Sequence, residues 1–396
     1  MNFIYPGDAM EFAEEVRAFV RAELPPVIRD KVMQHRRPTL EEQLLWQRKL
    51  CDKGWATPGW PKEYGGPGWS PLQRHLFDEV MAEEGAPNPV PFGESMIAPV
   101  LFSVGTPEQK AHYLPRIRTL EYYFCQGFSE PGAGSDLAAL NTRAVLDGDE
   151  WVINGQKIWT SLAQFANMMF CLVRTRLDDK PQKGISMLVF PMDTKGITVR
   201  PTITLDGGHM VNEVFFDDVR VPRDSLIGEV DKGWTYAKLL LGHERSTIAR
   251  IGLSKRELLR LKKMAAEQYV NGAPLIENPG FRDRVAQVEI ELAALSITAL
   301  RVVNASETDA LGIEANLLKI KGSEIQQRLT ELQLEAVGPY GLPFDPTRGA
   351  PGSNVAAVGP EGAASLGPNY LIQRVVTIYG GSNEIQRNII AKSLGL

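Results

Sequence analysis

Residues 128 to 136 read Phe-Ser-Glu-Pro-Gly-Ala-Gly-Ser-Asp, and after a turn the chain runs Gly155-Gln156-Lys157-Ile158-Trp159-Thr160-Ser161. The first segment gathers hydroxyls, a carboxylate, a Pro-Gly turn and a Gly-Ser pair. That mixture suits backbone approaching a polyanionic or strongly hydrogen-bonding ligand closely. The second puts the flat ring of Trp159 two residues before the hydroxyl of Ser161. In an extended strand, residues two apart point to one face, so an aromatic plane and a donor can address the same planar heterocycle.

Glu244 is the second candidate. Ala237, Leu240 and Leu241 precede it by seven, four and three residues, and Ile248 and Ile251 follow by four and seven. On one continuous helix the carboxylate therefore sits inside an apolar stripe. Leu240, Leu241, Thr247 and Ile248 offer it no cation. Burial without a partner is costly and raises a carboxylate pKa. Two readings stand: an ion pair with an Arg from another helix, or a general base removing a weakly acidic C–H proton in a dry site. Neighbouring Arg245 points elsewhere around the helix.

The 396 residues exceed one simple core and fit two or three packed domains. With 43% apolar and 23% charged residues and a net charge of -5, the chain has no basic field for nucleic acid. Cys51, Cys125 and Cys171 are far apart in sequence and the five histidines show no metal-ligand spacing, so neither a disulfide framework nor a metal centre is expected. The N-terminus lacks a basic start, and no segment reaches the roughly 18 apolar residues of a membrane span. A cytoplasmic protein is expected.

Residues 1–120 read as mostly helical: Phe12, Val16, Phe19 and Val20 recur at helical spacing, and Thr39 can cap a helix containing Leu44, Leu45 and Leu50. Residues 121–230 carry short β-forming runs (151–153, 168–173, 185–190, 197–199, 214–216) with turns at Asp147-Gly148-Asp149 and Asp206-Gly207-Gly208. From Gly233 the helical period returns and persists to about residue 336, then resumes from about Asn369. Between them, residues 341–368 hold six Gly and five Pro in 28 residues, too many for regular structure. The order is α, β, α, with 231–396 as the third domain.

Together these pieces resemble the acyl-CoA dehydrogenase family over essentially the whole chain. The matching segments are 129–136, 155–159, Phe216-Asp217-Asp218-Val219-Arg220-Val221-Pro222, and the C-terminal run from Ile378 to Arg387. A lone Gly132-x-Gly134 suggests a dinucleotide fold, but Leu137 and the missing βαβ pattern exclude it. The resemblance implies an α+β fold: a helical N-terminal domain, a β-barrel-like middle domain and a C-terminal four-helix bundle around FAD. It implies that a base removes the α-proton of an acyl-CoA while a β-hydride passes to flavin N5, giving a trans-2-enoyl-CoA, with reoxidation by an electron-transfer flavoprotein. It also assigns Phe128, Ser129, Gly134, Ser135, Trp159, Ser161, Ser382 and Glu384 to the cofactor, and Ser135, Arg245, Tyr379 and Gly380 to the substrate.

In many members the base follows the Tyr of the C-terminal motif, where this chain has Gly380. A smaller group carries a Glu-Arg pair on the first long helix of the C-terminal domain, where Glu244-Arg245 stands, so Glu244 is the expected base. The backbone N–H at 380 can still polarise a thioester carbonyl. The family's Glu-Arg-x-x-Phe-Gly and Gln-Gly-Gly motifs hold the ADP half of a neighbour's FAD. Here Gln268, Asn271, Glu335 and Pro339 replace the Arg, Phe, Gln and one Gly. A carboxylate facing a pyrophosphate repels it. The chain thus resembles the base-bearing subunit of bacterial heteromeric members, those for pimeloyl-CoA or steroid side chains, with a homologous partner in an α2β2 assembly; a homo-oligomer is the alternative. A flavin oxidase or monooxygenase on the same fold and a non-catalytic scaffold subunit are the competing functions.

Overall fold

The computed structural model describes residues 7–87, 89–90, 92–244, 249–305, 313–343 and 358–396, with backbone only at 241–244 and 304–305. The N-terminal helices are α1 (Gly7–Glu23), α2 (Pro26–Met33), α3 (Leu40–Lys53), α4 (Pro71–Glu83), α5 (Ala98–Val104) and α6 (Pro107–Arg118). Reciprocal capping pairs start three of them: Thr39 with Glu42, Ser70 with Gln73 and Thr106 with Gln109. Each pair satisfies two N–H groups that a helix start leaves unbonded. A π-helical turn, Phe92–Ile97, leads into α5.

Seven strands follow: β1 (Phe124–Gly127), β2 (Arg143–Asp147), β3 (Glu150–Ser161), β4 (Met168–Arg174), β5 (Ile185–Pro191), β6 (Ile197–Ile203) and β7 (His209–Pro222). They form one curled sheet of order β1-β4-β2-β3-β7-β6, with β5 on the other edge of β4. Strand β4 is buried along its whole length because it faces two cores. Met168, Phe170 and Leu172 pack towards the N-terminal helices, whereas Met169, Cys171 and Val173 pack inside the curl with Trp151, Phe190 and Phe216.

The C-terminal helices are α7 (Gly233–Glu244), α8 (Ile251–Glu267), α9 (Pro279–Ala305), α10 (Glu314–Val337), α11 (Leu366–Ile372) and α12 (Asn383–Ser393). Helices α8, α9 and α10 share an apolar core around Leu261, Val288, Leu292, Leu318, Ile325 and Leu329, and α12 packs on α10 to complete a bundle of four. The fold class is the one expected. All three cysteines are free thiols. Among the described residues no helix is long and apolar enough to cross a membrane, and no cluster of His, Cys, Asp or Glu is arranged to hold a metal.

Two expectations need correction. The helix expected to run on from Gly233 is not continuous: α7 is described as far as Glu244, and Ala249 and Arg250, the latter with φ +47°, are non-helical before a new helix at Ile251. Helix α7 belongs to the core shared by the sheet and the N-terminal helices, through Tyr236, Ala237 and Leu240, whereas α8 belongs to the bundle. One straight rod cannot serve both, so the stripe joining Glu244 to Ile251 does not exist as drawn from the sequence, and Ile248 lies outside the described residues. The Gly/Pro-rich stretch, in turn, is not irregular throughout: Ala363–Ser365 forms a 3₁₀ turn and α11 begins at Leu366. Residues 344–357 of that stretch lie outside the described residues.

Candidate active site and family

Two ties bring the two opening segments together. The N–H of Ile158 donates to the Ser129 carbonyl at 2.9 Å, and the Lys157 ammonium donates to the Phe128 carbonyl at 3.0 Å. Lys157 is fully buried and also pairs with Glu130 Oε1 at 2.8 Å. The same carboxylate accepts from the N–H groups of Asn141 at 2.6 Å and Thr142 at 2.9 Å. Burial raises the Glu130 pKa, but the Lys157 charge and these donors outweigh it and hold the carboxyl below its usual range. One ion pair thus fixes the 128–136 loop to β3. Sequence reasoning missed both partners, although each lies inside a quoted segment; a pairing across the sheet leaves no local signal.

The alternation argument for Trp159 and Ser161 does not describe this stretch. Trp159 has φ +58°, and the pairing of β3 with β7 shifts register between Lys157 and Thr160. This β-bulge reverses which residues face inward. Lys157 and Thr160 are buried, and Trp159 is 57% exposed, an unusual position for an indole. Ser161 and Ser129 are half-buried. A left-handed tryptophan beside a bulge is strained backbone of the kind that concentrates at ligand sites.

Phe128 is buried, edge-on to Phe170 with centroids 5.7 Å apart. Gly132, Gly134 and Ser135 lie on the exposed turn that follows. A Cβ at Gly132 or Gly134 would meet nothing within 4 Å, so nothing within the chain requires glycine there.

At the C-terminus, Ser382 caps α12 by accepting from the Ile385 N–H at 3.4 Å. Glu384 is exposed in its first turn, where the helical N–H and the Ser382 hydroxyl lower its pKa. Gly380 and Gly381 have φ of +65° and +79°, a double left-handed turn, and the Gln386 side chain donates to the Gly380 carbonyl at 3.0 Å. Half-buried Tyr379 lies under the Arg250 guanidinium, 6.0 Å from the ring centroid. The residue that opens α8 therefore reaches the 379–381 loop. Glu244 is the last described residue of α7; Arg245 lies outside the described residues.

On the bundle, Glu335 is engaged by Arg284 through two bonds of 2.5 and 2.7 Å. This fork is the main reason that the Glu335 pKa is lowered. Gln268 follows α8, and Asn271 and Gly272 form the left-handed tip of the short hairpin beyond it.

Three family models match in order: the acyl-CoA dehydrogenase N-terminal domain at 7–121, the middle domain at 125–219 and the C-terminal domain at 231–395. The chain is 39% identical over 361 residues to acyl-CoA dehydrogenase IpdE1 of Mycobacterium tuberculosis, covering 90% of this chain and 88% of that protein. Among solved structures, the ChsE4-ChsE5 complex of the same organism superimposes with a TM-score of 0.84 at 29% identity, over 100% of this chain and 99% of that one. The Tcur3481-Tcur3483 steroid acyl-CoA dehydrogenase gives 0.85 at 32% identity, with the same coverage. Matched along its length in sequence and in fold, the chain belongs to the acyl-CoA dehydrogenase family of flavoprotein oxidoreductases.

Proposed function

We propose that the chain is the base-bearing subunit of an FAD-dependent acyl-CoA dehydrogenase that converts an acyl-CoA thioester to the trans-2-enoyl-CoA, with Glu244 as the base. Residues 1–120, 121–230 and 231–396 act as its three domains. The observation that carries this reading is the contact of Arg250 with Tyr379, which joins the chain just beyond Glu244 to the loop where position 380 has no side chain. Gly380 leaves the usual carboxylate position vacant, and the end of α7 supplies a carboxylate from another segment.

The residues present fit a flavin. Exposed Trp159 offers an aromatic face to a planar ring, Ser129 and Ser161 offer donors beside it, and Gly134 and Ser135 allow close approach of a phosphate-bearing chain. Ser382 and Glu384, at the start of α12, would address hydroxyl groups of the cofactor's ribityl chain. When bound, the flavin supplies a hydride acceptor at N5. Glu244 would take the α-proton, the Gly380 N–H would polarise the thioester carbonyl, and Tyr379, Ser135 and Arg245 would orient the CoA ester.

The Arg284–Glu335 fork supports a heteromeric assembly. It occupies the surface that in the family holds a neighbour's ADP half, and it leaves no unpaired cation at Arg284 for a pyrophosphate. Two of the similar solved structures carry two protein names, and one is named for steroids. A bulky steroid-derived acyl group and a homologous partner subunit are therefore proposed, with an electron-transfer flavoprotein as acceptor and the cytoplasm as location.

The test is anaerobic incubation of the flavin-loaded protein, with its partner, against a panel of acyl-CoAs. Bleaching of the flavin with stoichiometric enoyl-CoA, and slow reaction of the bleached enzyme with oxygen, is expected. Rapid oxygen consumption with peroxide release would establish the oxidase instead.

A further inference from the structure

The end of β4 and the start of β5 close a ring of hydrogen bonds with the residue that leads into α7. The Asp231 N–H donates to Ser186 Oγ at 2.9 Å, and the Thr175 hydroxyl donates to Asp231 Oδ1 at 2.7 Å. The Ser186 hydroxyl, 2.8 Å from Thr175 Oγ1, completes the circuit by donating back to it. Such a closed chain of donors and acceptors fixes three segments relative to one another. Exposed Arg176 adds a bond of 2.8 Å to Asp231 Oδ2. Asp231 holds left-handed backbone at φ +65°, which Asp and Asn tolerate better than other side chains do. Two residues on, α7 starts at Gly233, where a Cβ would lie 2.6 Å from the Ser186 carbonyl carbon. The helix carrying Glu244 therefore starts pressed against β5 and tied to β4.

One residue before Thr175, buried Arg174 serves the other half of the site. Its guanidinium donates to four main-chain carbonyls: Ala138 at 2.6 Å, Leu140 at 3.2 Å, Pro181 at 2.7 Å and Lys183 at 2.8 Å. Its own N–H donates to the Thr142 carbonyl at 2.7 Å. Residues 138–142 form the return limb of the turn with Gly132, Gly134 and Ser135, whose outgoing limb is held by the Glu130–Lys157 pair. A planar fork reaches several acceptors in fixed directions, which a lysine ammonium cannot reproduce. Ala133 and Leu137 of this turn pack in the same apolar core as Tyr236 and Ala237 of α7. Consecutive residues of one strand thus grip both segments.

We propose that Arg174 and Asp231 are positioning residues of the dehydrogenase. Arg174 sets the turn of Gly134 and Ser135 for the CoA ester, and Asp231 aims α7, and with it Glu244, at the substrate α-carbon. The inference rests on the acyl-CoA and Glu244 reading above. Each residue acts through a segment of backbone rather than on a reacting atom.

The test is anaerobic stopped-flow bleaching of the flavin-loaded complex over a concentration series of the panel acyl-CoA that bleaches the parent fastest. Saturation gives an apparent dissociation constant and a limiting rate. Asp231→Ala is expected to lower the limiting rate about tenfold or more, because a displaced base loses its geometry, and to leave the dissociation constant within about twofold. Asp231→Asn keeps an acceptor for Thr175 and tolerates the left-handed backbone, so it should restore most of the rate. Thr175→Val, which removes that bond with Asp231 in place, should reproduce the loss. Arg174→Lys is expected to do the converse, weakening the thioester about tenfold while the limiting rate stays within about twofold. A merely structural role would move both constants together in every variant, and that result would overturn the assignment, as would parental constants in Asp231→Ala, Thr175→Val and Arg174→Lys. Glu244→Gln, measured alongside, leaves both grips intact. Slow bleaching there with parental bleaching in Asp231→Ala overturns the role of Asp231 and spares the base; the reverse pattern keeps Asp231 as the residue that positions α7 and removes Glu244 as the base.

Discussion

Lys157 has no exposed surface, and its ammonium is bound by Glu130 and the Phe128 carbonyl, two residues from exposed Trp159 in sequence. Removing one member of such a pair leaves a buried charge, so Lys157→Met is expected to destabilise the protein by about 3–5 kcal/mol. Replacing both, as Glu130→Gln with Lys157→Met, should restore part of that loss in chemical denaturation. The depressed Glu130 pKa gives the pair a pH signature. Its contribution is present above the unfolded carboxylate value of 4.5 and is lost as pH falls through the lower folded value. The double variant should therefore lose less stability than the parent on acidification below pH 4.5. The sequence displayed both residues inside recognisable segments, but their pairing depends on strand register. For the same reason Trp159 was legible as an exposed-ring candidate, and the bulge that exposes it was not.

Local signals identified the capped helices and most strands, since Thr39 and the short β-forming runs need only neighbours to act. The break at Arg250 was not legible, because it follows from where α7 and α8 pack. Two glycines mark that packing. A Cβ on Gly252 would lie 2.7 Å from the Glu79 Cα, and one on Gly322 would lie 2.8 Å from the Ala249 Cα. Alanine improves helix propensity by about 1 kcal/mol, but overpacking against backbone costs about 1–3 kcal/mol. Gly252→Ala and Gly322→Ala should therefore lower the melting temperature despite the better helix former. The segment between α2 and α3 is fixed by His35, which sits against Glu257 and Arg260. Burial lowers its pKa to about 4, with the neighbouring arginines adding to that and Glu257 opposing it. The folded chain then resists a proton that the unfolded chain accepts near 6.5, so stability declines as pH falls from 6.5 towards 4 and is unaffected above. An NMR titration assigned with His35→Gln should show this imidazole neutral at pH 5.5; a midpoint near 6.5 would contradict it.

On the scale of the whole molecule, one chain carries the proposed flavin-ring platform while its own Arg284 and Glu335 neutralise each other on the bundle surface. The departures at Gln268, Asn271, Glu335 and Pro339 were readable in the sequence because they are substitutions in a motif, whereas the fork that occupies Glu335 needed the packing of α9 on α10. Expressed alone, the chain should retain FAD at least about tenfold more weakly than when co-expressed with its homologous partner, as loss of a charge-assisted phosphate contact implies. Flavin occupancy after gel filtration measures this, and full occupancy in the lone chain would show that no second polypeptide is needed. The account depends most on Glu244. In anaerobic stopped-flow mixing with an acyl-CoA that bleaches the parent complex, Glu244→Gln should bind FAD and thioester normally and slow bleaching by about a hundredfold or more. Bleaching at the parent rate would remove Glu244 as the base.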